Sequence, residues 1–388
     1  MMRKLFLIGM YSIVFVLGMT GCGKEETNDV TGVTTEIVAV ESATKPLENV
    51  KTEVTEEDLA NTPSDTEVQE NANPYSYEYN PCVIPEAVAS QYDPFIVEAY
   101  LDFCKVVNEG GDYFICPDQE TYCHVCEIVY NIHPFAYNLI DVPAFDESLI
   151  VDGKFPVNYK FPKDEYMEKL KAFQNEVTKI ITSTLSEGDN ELEKAIKLYG
   201  YFGPNMTYDQ DLCDFNLAKN EGDCAGVETD YTTDNVIPEG YRAIMYKEGI
   251  CHELASAYRY LLLQVGVEAI DIVGEIGGSA HQWNMVRIDG VYYHTDPTAQ
   301  VGSEEDSLEA FCLSEESYVE FYDADISTFE IYLNRERYFE DTFKSDNRFS
   351  SLGSCSYYEL DQENQVIYYG YSHFNGEYYE EKTGEFKY

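Results

Sequence analysis

The stretch SAHQWNMVRIDGVYYHTDPT, residues 279–298, constrains the fold more than any other part of the chain. Asp289-Gly290 stands between two apolar, β-rich runs. A two-residue hairpin turn of type I′ needs positive φ at both central positions, and Asp-Gly supplies it. With those two residues as the turn, Ile288 faces Val291, Trp283 faces Asp296 and His281 faces Thr298. Directly opposed residues share a face of a sheet, and so do residues two apart along a strand. His281 and Asp296 therefore lie on one face as diagonal neighbours, about 7–8 Å apart at the backbone. An imidazole and a carboxylate reach across that gap. A register slip of one residue would move Asp296 to the opposite face.

Just upstream, EGICHELASAYRYLLLQVG (248–266) has the pattern of a buried helix. Leu254, Ala257, Tyr258, Leu261, Leu262 and Val265 recur at helical spacing and form one apolar face. Gly266 stands where a helix ends on a C′ glycine. Cys251 opens this helix, where unpaired amides and the helix dipole favour a thiolate and can hold an oxyanion. Alone, such a cysteine reads first as a small buried apolar residue. The next segment, VEAIDIVGEIGG (267–278), reads as a strand and a glycine turn leading into the hairpin. A thiol, an imidazole and a carboxylate thus each have a fitting local structure. The imidazole can take the thiol proton while the carboxylate fixes its tautomer, and such pairing lowers a thiol pKa by several units.

GIC opening a helix, HQWN on a strand and YYHTDPT on the next resemble the transglutaminase-like superfamily, in its bacterial extracellular branch. That branch has a glycine-preceded nucleophile cysteine, a His-x-Trp-Asn strand and an Asp-Pro-Thr run. Cys251, His281 and Asp296 occupy those positions here. KAIKLYGYFGPNMTYD (194–209), GYRAIMYKEGIC (240–251) and AFCLSEESYVEFY (310–322) are similar to the family's flanking segments, so the resemblance covers about 188–325. It implies an α+β, papain-like core with the nucleophile at a helix N-terminus packed on an antiparallel sheet. It also implies acyl transfer on peptide or protein amides through a thioester on Cys251, with His281 as base and then acid and Asp296 orienting it. An amine acceptor would give crosslinking, and water would give deamidation or peptide hydrolysis. Neither a metal nor an organic cofactor is implied. Tyr208 is a candidate oxyanion donor. Trp283, the only tryptophan, either shields the His–Asp pair from water or packs the core. His252 points about 100° round the helix from Cys251 and makes a poor base. His294 shares the hairpin face but lies further off and reads as packing, and Asn284 points to the other face as a structural residue. Two alternatives share these residues: a cysteine peptidase or amidase-type hydrolase, and a non-catalytic cell-surface binding module that keeps the triad.

The first residues, MMRKLFLIGMYSIVFVLGMTGC, have a short basic region, an apolar run and then small residues. This is a secretory signal layout. Cys22 after Thr20-Gly21 resembles a bacterial lipobox, with Met19 where leucine is usual. The expectation is a lipid on Cys22 and a chain anchored at the cell membrane, facing outward. Residues 23–78 read as a disordered acidic tether with too little apolar content to fold. The chain carries 25 Lys+Arg against 72 Asp+Glu, a net charge of −47 over 388 residues. Such a surface repels nucleic acid and anionic headgroups, and the partners implied by the resemblance are a peptide or protein substrate and, for crosslinking, an amine acceptor.

Residues 79–185 read as a mixed α/β accessory region, 186–345 as the catalytic domain and 346–388 as Tyr-rich strands. The patterns give helices at 94–107, 163–185 and 188 to Gly203-Pro204, and strands at 124–140 and 155–162. Asp211 to about Pro238 reads as an insertion loop, and Asn375-Gly376 and Thr383-Gly384 as turns. There are 11 cysteines. Cys116, Cys123, His124 and Cys126 could bind zinc, but in an exported chain disulfides are the better reading.

Overall fold

The computed structural model describes residues 75–221, 239–277, 279–304, 306–333, 343–374 and 379–388. The leader with Cys22, the tether as far as residue 74, the stretch 222–238 with Cys224, and the Asn375-Gly376 turn lie outside them. No helix among the described residues is long and apolar enough to cross a membrane.

After α1 (Glu86–Ala89), helix α2 (Pro94–Glu109) starts where Asp93 accepts from the Phe95 amide and Pro94 presets φ. It stops at Gly110, whose φ of 64° is left-handed. Strand β1 (Tyr113–Ile115) and helix α3 (Gln119–Ile132) follow, then α4 (Ala136–Leu139) and β2 (Ile140–Asp141). Strand β3 (Lys154–Pro156) pairs antiparallel with β1, and β4 (Asn158–Tyr159) with β2. Helix α5 runs over Lys163–Thr184. The strand expected at 124–140 is therefore mostly wrong: only Ile140 belongs to one. Val125, Ile128, Val129 and Ile132 are buried at helical spacing, and Asp118 caps the helix by accepting from the Thr121 amide. A β-branched run was decided by that cap and that period rather than by propensity.

Helix α6 (Glu191–Asn205) carries Pro204 in its last turn and opens with a reciprocal capping box between Asn190 and Glu193. Strand β5 (Thr207–Tyr208) leads into α7 (Gln210–Glu221). The insertion loop expected from Asp211 thus begins as a helix, whose polar surface had hidden its period. Helix α8 (Gly240–Tyr246) and strand β6 (Glu248–Gly249), parallel to β5, deliver the chain to α9 (Cys251–Gln264). Strands β7 (Ala269–Ile276), β8 (Ser279–Ile288) and β9 (Val291–Thr295) then form a meander. Helices α10 (Pro297–Gln300) and α11 (Glu315–Tyr322) flank β10 (Leu308–Glu309), and β11 (Ala324–Ile331) closes an antiparallel sheet of order β11-β7-β8-β9.

The hairpin has the expected register, from Ile288 opposite Val291 to Asn284 opposite Thr295. Its turn residues Asp289 and Gly290 take φ of 50° and 83°. His281 does not pair with Thr298, because the chain leaves the sheet at Asp296 and Pro297 starts α10. Helix α9 is buried on nearly every side rather than along one face. Most of its polar residues are buried too and have partners, among them Glu253 on Arg242, Arg259 on Asp271, and Gln264 on Asn80.

Strand β12 (Ser354–Cys355) pairs with β10, and β13 (Tyr357–Asp361), β14 (Val366–Phe374) and β15 (Tyr379–Lys387) form a separate antiparallel sheet. Thr383-Gly384 is not a turn but the middle of β15, with Gly384 opposite Tyr369. A Cβ at Gly384 would lie 2.4 Å from the Tyr369 ring, so glycine is there to admit a cross-strand aromatic. One apolar cluster runs from Val83 to Ile367 and crosses the sequence boundaries drawn at 185 and 345.

Candidate active site

Cys251 is the first residue of α9 and is 9% exposed. The turn that presents it is held from below. Glu253 reaches back to accept from the Ile250 amide at 3.0 Å, and its other oxygen binds Arg242 Nε at 2.7 Å. Arg242 Nη2 binds Asp209 at 2.6 Å, so one guanidinium ties the residue after β5 to the start of α9. Gly249 is required by this arrangement, because a Cβ there would lie 2.8 Å from Glu253 Cβ. Burial raises the Glu253 carboxyl to about 7, although Arg242 pulls it down. Sequence reasoning missed Arg242 and Asp209; the only local signal was a glutamate at the third position of α9, half of a capping box.

His281 and Asp296 meet as the register demands. His281 Nε2 lies 2.7 Å from Asp296 Oδ2, with both side chains buried. Burial works against the charged ring, but the Asp296 carboxylate outweighs it and raises the His281 pKa to about 10. Asp296 is itself held below the usual carboxylate range: desolvation opposes this, and His281, the Tyr322 hydroxyl and the Thr298 amide overcome it. Nε2 being taken, Nδ1 is the nitrogen left for the nucleophile. It makes no closed hydrogen bond, and the Cys251 thiol lies near enough to act on the ring.

Three elements fix Asp296. Its Oδ1 accepts from the Thr298 amide at 2.9 Å, which makes it the cap of α10. Tyr322 at the end of α11 donates to Oδ2 at 2.6 Å, and the Tyr199 hydroxyl donates to the backbone carbonyl at 2.7 Å. Tyr322 was not singled out from the sequence, although Tyr318 and Tyr322 are spaced to share one face of a helix. Trp283 both shields and packs: its ring is stacked 6.0 Å from His281 and 4.8 Å from Tyr318, and it is fully buried.

The remaining candidates fall as follows. Tyr208 is opposite Gly249 in the β5–β6 pair, beside the nucleophile. Burial, with the Cys251 and Cys213 thiols close by, keeps its hydroxyl protonated. His252 turns away: its Nδ1 lies 2.7 Å from Gln282 Oε1 and its ring contacts Tyr332. His294 accepts from Trp283 Nε1 at 2.9 Å, and burial lowers its pKa to about 3, so it is a neutral packing residue. Asn284 donates to the Ala255 carbonyl and to Asp271 on the other face. Among the described residues no group of His, Cys, Asp or Glu could hold a metal ion, and no disulfide is closed. Cys123, His124 and Cys126 share α3, where His124 packs on Tyr92.

No family model matches the chain, and no curated protein does. One solved structure described as the crystal structure of a TGase is similar over 36% of this chain and 34% of its own, with 15% identity and a TM-score of 0.27. The chain thus spans about a third of the length of that protein. A likeness at this level carries no argument. What stands is a chain of mixed helix and antiparallel sheet, and the chemistry has to be read from the site itself.

Proposed function

We propose that the chain is a thiol enzyme of transglutaminase-like type that transfers acyl groups from peptide or protein amides through a thioester on Cys251. The observation that supports it is the buried His281–Asp296 contact of 2.7 Å, with the second ring nitrogen left for a cysteine at a helix N-terminus. An imidazolium at His281 stabilises negative charge on the adjacent sulfur. The sulfur attacks the amide carbonyl, and the oxyanion that forms is met by helix-terminal amides with Tyr208 as a side-chain donor. His281 passes its proton to the leaving amine and then takes one from the acceptor, amine or water, that frees the acyl group. Asp296, pinned by Thr298 and Tyr322, keeps the ring in line throughout. On this reading the protein works outside the cell, held at the membrane by a lipid on Cys22. Labelled palmitate should enter the wild type and not Cys22→Ser.

The test incubates the full chain with a Gln- and Lys-rich peptide pool and a labelled primary amine, beside Cys251→Ala. Amine adducts or crosslinks that vanish in the variant are expected. Cleaved or deamidated peptides without adducts would move the reading to a hydrolase on the same residues. Identical spectra from both samples would remove the enzymatic reading.

A further inference from the structure

The first described residues, 75–89, lie as a strap across the far end of α9 from the candidate site. The Tyr77 hydroxyl donates to Gln264 Oε1 at 2.6 Å, and Gln264 also bonds the Asn80 amide and carbonyl. The Tyr79 and Tyr260 hydroxyls meet at 2.7 Å, and the Glu86 and Ala87 amides donate to Glu268. Between these anchors the strap touches α2. The Cys82 thiol contacts the Leu101 carbonyl at 3.7 Å, and the Tyr100 hydroxyl donates to the Val83 carbonyl at 3.2 Å. Cys104 stands one turn beyond Leu101 on the same helix and is buried, while Cys82 is half-buried. The Cys82 contact with the Leu101 carbonyl and the Tyr100 bond to the Val83 carbonyl set the Cys82 thiol beside the turn of α2 that carries Cys104.

We infer that Cys82 and Cys104 form a disulfide by exchange with an external disulfide donor, and that this bond staples the strap to α2. The chemistry divides as the burial does. Cys82 is the reachable thiol, and its contact with Cys104 lowers its pKa to about 7, so a large fraction is thiolate at neutral pH. That thiolate attacks one sulfur of the donor, whose other sulfur leaves as a thiol. Cys104 then loses its proton to solvent and attacks the Cys82 sulfur, which expels the second donor thiol. Two protein thiols are oxidised to one disulfide and one donor disulfide is reduced to two thiols. The closed loop spans 82 to 104, and its constraint on the unfolded chain stabilises the fold.

The experiment uses the full chain carrying Cys251→Ala, so that the nucleophile cannot trap the probe. It is treated with oxidised glutathione under native conditions, quenched with iodoacetamide and mapped without reductant. The expected result is a peptide pair linked through Cys82 and Cys104, and a melting temperature a few degrees higher than after dithiothreitol. The same protein with Cys82→Ala, changed at the half-buried position so that the core is left intact, should show neither the link nor the shift. Recovery of Cys82 as a glutathione adduct with Cys104 alkylated would overturn the inference, because the second exchange step would then be out of reach. So would a melting temperature that oxidant and reductant leave unchanged. Neither outcome depends on whether the chain is an enzyme.

Discussion

At the scale of single residues, the His281 ring is governed by two opposed forces of known sign. Burial lowers its pKa and the Asp296 carboxylate raises it, and the carboxylate wins. Asp296→Asn keeps the shape and removes the charge, so burial is opposed only by the Cys251 thiol and the ring's pKa falls from its raised value. The cationic form of the ring beside the Cys251 sulfur is then less favoured. At pH 6, alkylation of Cys251 by iodoacetamide should slow by about ten-fold or more as the charge on the neighbouring ring is lost. Rates followed by mass spectrometry from pH 5 to 9 check this, and equal rates in the two proteins would separate His281 from any part in activating the thiol. Part of this site could be read from the chain alone. His281 and Asp296 are joined by a turn whose geometry two residues dictate, and period two does the rest. Tyr322 and Arg242 could not be read that way. Each reaches its partner across 26 or 33 residues, a separation that no local period encodes.

At the scale of elements, the start of α9 depends on a neighbouring helix. Arg242 of α8 serves two buried carboxylates, Asp209 and Glu253, and through Glu253 the Ile250 amide that precedes the nucleophile. Arg242→Ala removes the guanidinium both share and leaves their charge in a dry setting. The expected cost is about 3–5 kcal/mol, read as a lower urea midpoint at unchanged slope. Arg242→Lys should recover only part of it, because an ammonium cannot offer the two-armed contact. Loss of less than about 1 kcal/mol in the alanine variant would show that the start of α9 is set by the β5–β6 pair instead. The elements that the sequence hid share a cause. In α3 β-branched residues occupy helical positions, in α7 a polar surface hides the period, and in β15 a glycine serves a tyrosine ring rather than a turn. In each case a tertiary neighbour overrides a local preference. Helices α2, α5, α6 and α9 were legible because apolar spacing is sustained in each, with Asp93 and Gly110 bounding α2, a capping box opening α6 and Gly266 following α9.

At the scale of the whole molecule, buried titratable groups set where in pH the fold is most stable. His133 and His294 are buried and neutral, with pKa values lowered to about 3, so below 6.5 the unfolded chain binds protons that the folded one refuses. Those two groups cost stability as pH falls from 6.5. Glu239 and Glu253 are raised to about 8 and about 7, so above 4.5 the folded chain keeps protons that the unfolded one has released. Their contribution is lost as pH rises from 4.5 through those values. His281, raised to about 10, contributes fully below 6.5 and loses its contribution as pH climbs to 10. Between 4.5 and 6.5 the two histidines and the two glutamates oppose each other in equal number, so stability should be flat there. Above 6.5 both glutamates and His281 act in the same direction and their contributions fall with pH, opposed between about 7 and 9 by the Cys82 thiol, whose folded pKa is lowered. The mutual repulsion behind a net charge of −47 adds to that fall, because acid relieves it. Scanning calorimetry across pH 4 to 10 should therefore give a plateau on the acid side of neutrality and a steep decline between about 6.5 and 8. A melting temperature that peaks above pH 8 would mean that Glu239 and Glu253 are ionised in the folded chain. Glu253→Gln separates the cases: if the carboxyl is protonated in the fold, the variant flattens the decline around pH 7, and if it is ionised against Arg242, the variant loses stability at every pH.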